Sequence, residues 1–121
     1  MITLANALIV VVALLHLYFL VLEMFLWTKP AGRRVFRTTA EFAEQSKMLA
    51  ANQGLYNGFL AAGLLWGLSL GDAGYSIKLF FLGCVVIAGA YGAATVNRRI
   101  LFIQALPAAI AIGCLIAGRA A

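Results

Sequence analysis

The chain has 121 residues, 64% hydrophobic and 11% charged, with a formal net charge of +5. Soluble domains carry about 25% charged residues, so this composition excludes an ordinary soluble fold. It also leaves no room for a separate soluble domain, because four membrane crossings of roughly 20 residues each consume about 80. Nor does the positive charge point to nucleic acid: the basic residues sit beside the ends of apolar runs, where they set orientation in a membrane.

The first apolar run extends from Ile2 to Trp27 with no Lys or Arg ahead of it. It reads as a retained helix over about 3–27, not as a secretory signal peptide, and Lys29-Pro30 stops it. A basic loop follows from Thr28 to Thr39. Thr38 or Thr39 suits the N-cap of a second helix over about 40–70, with Glu41 in its first turn. Residues 40–47 are polar enough to leave the first third of that helix in water.

Gly71-Asp72-Ala73-Gly74 has the composition of a tight turn, since both glycines tolerate positive φ. A third helix is expected over about 75–96. Asn97-Arg98-Arg99 makes the shortest connection, and a fourth helix runs over about 100–118 with Pro107 inside it, which membrane helices tolerate. The expected fold is all-α: a single transmembrane domain over 1–121, built as an integral membrane four-helix bundle.

Charge counting orients it. Lys29, Arg33, Arg34, Arg37, Lys47, Arg98 and Arg99 fall beside one face, and Lys78 and Arg119 beside the other. The excess belongs in the cytoplasm, so the first and third loops lie inside and both termini outside, in a multi-pass protein of the cell inner membrane. Small residues four apart in the second helix (Gly54, Gly58, Ala62) and the third (Gly89, Ala93; Ala90, Ala94) predict close helix packing.

An ionisable residue within the hydrocarbon costs about 2.5–3.5 kcal/mol on insertion scales, so Glu23 and His16 stand out. They are seven apart, nearly two turns, and share one face of the first helix with Trp27 close to it. The second helix carries Asn52, Gln53, Tyr56 and Asn57 on a wide polar arc. Tyr91, Thr95 and Arg98 lie at the end of the third helix, and Gln104 near the start of the fourth. In the expected topology all but mid-membrane His16 fall in the cytoplasmic half, while the outer half reads as apolar. That asymmetry predicts a cleft open to the cytoplasm and argues against a through-pore.

Each residue also has a plainer role. The amides serve equally as interhelical hydrogen bonds, worth on average about 0.6 kcal/mol; His16 suits a bond to a neighbouring carbonyl or amide; Arg99 suits an orientation marker. No second ligand is spaced for a metal at His16. Cys84 and Cys114 lie in apolar stretches without metal-ligand spacing and read as inert thiols. Glu23 is the strongest functional candidate, as a proton-handling group or the partner of an Arg.

The segments LHLYFLVLEMFLWTKPAGRRVF, AANQGLYNGFLAAGLLWGL and YGAATVNRRILFIQALPA resemble a family of small bacterial inner-membrane proteins grouped as a domain of unknown function, over nearly the whole chain. A second resemblance is more distant. GRRVFRTTAEFAEQSKMLAANQGLYNGFLAA is similar to the loop and second helix of the membrane-associated proteins in eicosanoid and glutathione metabolism, which include microsomal glutathione transferases. That resemblance implies a homotrimer with glutathione or a lipid-like ligand between subunits, and the Tyr91-to-Arg98 spacing resembles the superfamily's Tyr and its thiolate-stabilising Arg. Where those enzymes hold glutathione with an Asn and a Glu, this sequence has Gly54 and Asn57.

Two functions from different classes follow. The first is a membrane enzyme or ligand-binding protein whose cytoplasm-facing cleft takes an amphipathic molecule. Glu23 and Arg98 would be its catalytic pair, and His16, Asn52, Gln53, Tyr56, Asn57, Tyr91 and Gln104 its ligand-binding residues. The second is a transport or export component in which Glu23 and His16 carry protons. A structural subunit held by interfacial amides is the plainest reading. Membrane lipid, an amphipathic small molecule and further copies of the chain are the expected partners.

Overall fold

The computed structural model describes residues 1–120, and among them no strand occurs. The helices are α1 (Ile2–Met24), α2 (Pro30–Phe36), α3 (Ala40–Ser69), α4 (Tyr75–Thr95) and α5 (Leu106–Ala120). A 3₁₀ turn at Gly71–Gly74 precedes α4, and a π-helical turn at Leu101–Ala105 runs directly into α5.

The long helices fall where hydropathy places them, and the differences lie at their ends. The first helix stops at Met24, short of Trp27, and the expected loop contains α2. Proline explains the second: it holds Lys29 in extended backbone (φ −84°, ψ 160°) and sits at the first position of α2, where its missing N–H costs nothing. Arg37 then closes α2 in the left-handed region at φ 56°, and the Thr38 amide donates back to the Arg33 carbonyl at 3.1 Å. Of the two candidate caps for α3, Thr39 serves, its hydroxyl oxygen accepting the Phe42 N–H at 3.1 Å.

Among the described residues three helical stretches are long and apolar enough to cross a membrane: Ile2–Met24, Gly71–Thr95 and Leu101–Ala120. The second helix, expected as a fourth crossing, is not in this set. At 30 residues α3 is long enough, but Glu41, Glu44 and Lys47, followed by Asn52, Gln53 and Asn57, dilute its apolar residues. Only 33%, 22% and 28% of the most apolar part of the three stretches is buried, so each leaves many side chains outside the protein's core. Leu4, Val10, Val11, Leu14 and Val21 of α1 are exposed, as are Phe80 and Ile87 of α4. Apolar surface this continuous is foreign to monomers in water.

The chain forms two compact units. One comprises Leu14–Ala61: the second half of α1, α2 and most of α3. Here α1 and α3 run antiparallel, with Gly58 against Leu20 and Gly54 against Glu23 and Met24. The Trp27 indole N–H donates to Ser46 Oγ at 3.0 Å. A Cβ on Gly54 would lie 2.7 Å from Met24 Cγ and 3.1 Å from Glu23 Cβ, so the absent side chain sets the helix spacing.

The other unit comprises Met1–Ala13 and the chain from Ala62 onward, with Ile9, Leu64, Leu82, Val85 and Leu115 in its core. Of the two turn glycines, only Gly71 adopts positive φ, at 58°; Gly74 is required because a Cβ there would overlap the Gly67 carbonyl oxygen. Pro107 has no N–H to continue an α-helical ladder, and the turn before it widens, the Leu106 amide bonding the Leu101 carbonyl.

Gly54→Leu should destabilise the protein by about 1–3 kcal/mol through overpacking. Gly83→Leu, whose new side chain meets open space, should leave stability nearly unchanged; thermal unfolding in detergent followed by circular dichroism compares the two.

Candidate functional site

Glu23 lies in the last turn of α1 and is 8% exposed, while Asn57, in the middle of α3, is 6% exposed. The Asn57 Nδ2 donates to Glu23 Oε1. The bond follows from the glycine-spaced approach of α1 and α3: with Gly54 one turn away, the backbones come close enough for the short Asn side chain to reach the carboxyl group. Burying a carboxylate without such a donor is expensive. The partner is a neutral amide, and among the described residues Glu23 makes no ion pair; Lys47 pairs instead with Glu44 on its own helix.

Glu23 also lines a recess of about 190 Å³ whose walls include Trp27, Thr28, Lys47 and Met48. Pockets for whole drug-sized ligands run to roughly 300–1,000 Å³, so this one accommodates a small polar head and not an entire amphipathic molecule. The carboxyl group of Glu23 and the hydroxyl of Thr28 there can accept or donate hydrogen bonds and pass a proton to a bound group.

The other sequence candidates are dispersed. In the same unit His16 is buried at 1% exposure, edge-on to the Phe19 ring at 6.1 Å between centroids. Asn52, Gln53 and Tyr56 face outward from α3. Tyr91, Arg98 and Gln104 belong to the other unit. Tyr91 is 72% exposed, Arg98 is exposed in the turn where Asn97 Oδ1 accepts the Arg99 amide at 2.9 Å, and Gln104 is half-buried. Within its unit the structure thus joins Glu23 with Asn57 and leaves three polar neighbours on the surface.

The half expected to be almost wholly apolar includes a polar centre. Lys78, in the first turn of α4, is 2% exposed. Its Nζ donates to Asn6 Oδ1 at 3.0 Å and to the Gly71 carbonyl at 3.3 Å. It lines a recess of about 450 Å³ shared with Asp72, Tyr75 and Arg119. A signal was present: Asn6 and Lys78 each interrupt an apolar run shortly after a helix start, the same criterion that singles out Glu23. Lys78 read as an orientation marker because helix-end lysines ordinarily reach water.

Residues 10–116 match the family described as a protein of unknown function (DUF1304). The chain belongs to this family. It is also similar to the Uncharacterized protein YpaA of Lactococcus lactis subsp. lactis (strain IL1403), 33% identical over 95 residues that cover 77% of this chain and 80% of that protein. No solved structure matches. The DUF1304 span contains Glu23, Asn57 and Lys78, while Asn6 and Arg119 of the second centre lie outside it.

For this DUF1304 protein, Asn57→Leu should cost about 1–3 kcal/mol by stripping a buried carboxyl group of its donor. The double substitution Glu23→Leu with Asn57→Leu should be more stable than Asn57→Leu alone. A double-mutant cycle on detergent unfolding curves measures the coupling, and strictly additive effects would contradict it.

Proposed function

We propose that this protein is a multi-pass inner-membrane protein with four crossings and both termini outside. Its Glu23–Asn57 centre would bind the polar head of an amphipathic small molecule from the cytoplasmic side. The observation that carries this reading is the placement of Glu23: a buried carboxyl group held by a neutral amide and lining a recess sized for a head group. Carboxyl groups are not retained among apolar helices without a partner or a task.

Two arguments support α3 as the fourth crossing. It packs antiparallel along the apolar α1 from Ser46 to Gly58. If it did not cross, Arg98 and Arg99 would emerge on the face opposite the Arg33–Arg37 cluster, against the tendency of cations to share the cytoplasmic side. Asn52, Gln53 and Tyr56, outward-facing on α3, favour an oligomer in which another copy covers them; the trimer implied by the second resemblance meets that need. Glutathione, the cofactor of that resemblance, is the first polar molecule to offer it.

A second reading, a proton-coupled transport component, is favoured by the Lys78 recess, which would give the outer side a polar approach of its own.

Native mass spectrometry of the protein extracted in mild detergent, with and without glutathione or a lipid extract, tests the first reading. A trimer should carry a small bound molecule whose occupancy falls at least about tenfold in Glu23→Gln, a loss of about 1.4 kcal/mol or more. Equal occupancy in the wild type and the variant would remove Glu23 from binding.

A further inference from the structure

The Lys78 recess is independent of Glu23, and its chemistry differs. A lysine ammonium has three N–H donors. Two of those on Lys78 meet neutral acceptors, Asn6 and the Gly71 carbonyl, leaving one donor and a charge at the wall of the recess. The Arg119 guanidinium lies 4.0 Å above the Tyr75 ring, a stacking that fixes its plane while leaving its N–H edges available.

Among the described residues the one carboxylate on the wall is Asp72. Within 4.0 Å it pairs with neither cation, whereas Lys47 pairs with Glu44. Among the described residues two cations therefore face one anion, and Lys78 is 2% exposed. Fixed guanidinium and ammonium groups together suit a phosphate group, the first bidentate and the second as a point charge. Ile2 and Leu115 add apolar wall. At about 450 Å³ the recess exceeds the needs of an inorganic anion and is in the range of small-molecule sites.

We propose that this recess binds a phosphate ester, with Lys78 and Arg119 on the phosphate and Asp72 accepting a hydroxyl or ammonium hydrogen from the ester's alcohol. A phospholipid head group and a free phosphate ester share this chemistry.

The test uses full-length protein in a phosphorus-free detergent, titrated separately with phosphatidylglycerol, glycerol 1-phosphate and a diacylglycerol of the same chains, with occupancy read by native mass spectrometry. The expected result is binding of a phosphate-bearing ligand in preference to diacylglycerol, weakened about tenfold by Lys78→Met or by Arg119→Gln. Binding of phosphatidylglycerol alone identifies a lipid head group as the source; comparable binding of glycerol 1-phosphate identifies a free ester. Arg119 is exposed, so its variant decides the matter if Lys78→Met does not fold. Indifference to phosphate in the wild type, or wild-type affinity in folded Arg119→Gln, would overturn the proposal and leave Lys78 as a cap on the Gly71 turn.

Discussion

A carboxyl group placed between apolar helices must find a donor, and in this protein that requirement ties α1 to α3. The bond from Asn57 to Glu23 joins positions 34 residues apart, and much of the local architecture serves it. Gly54 and Gly58 let the backbones approach. The proline-started α2 turns the chain back within a few residues, and the indole of Trp27 meets Ser46 as α3 begins. Replacing Asn57 with an apolar residue would not simply remove one hydrogen bond; it would leave a charge-bearing group with nothing to hold it.

The helices were legible because hydrophobic runs of about 20 residues leave few alternatives, and the ends of α3 and α4 agree with the capping and glycine signals. The short helix α2 was not legible: a seven-residue segment dense in arginine has no apolar period to announce it, and its helicity comes from Pro30 at the start and a left-handed Arg37 at the end. The π-helical turn before Pro107 was likewise invisible, since sequence shows that the proline breaks a ladder but not how the neighbouring turn accommodates it.

The candidate site was legible in part. Glu23 and Asn57 each stood out as polar residues among apolar ones, but periodicity along single helices says nothing about which polar residue meets which. Asn52, Gln53 and Tyr56 share a helix with Asn57 and face the other way. Lys78 was passed over because its nearness to a helix end suggested a solvated side chain, whereas the folded turn at Gly71 and the amide of Asn6 enclose it. The two centres also differ in kind. One presents a carboxyl group, the other two cations and a carboxylate.

The most direct test of this account is the sidedness of the segment between α3 and α4. With Cys84 and Cys114 replaced by alanine, Ala73→Cys and Asn97→Cys proteins in intact cells would be treated with a membrane-impermeant maleimide. If α3 crosses the membrane beside α1, the thiol introduced at position 73 reacts from outside and that at position 97 only after the cells are opened. Labelling of position 97 from outside, with position 73 reacting only after the cells are opened, would contradict the four-crossing arrangement and, with it, the burial of the Glu23–Asn57 pair within the membrane.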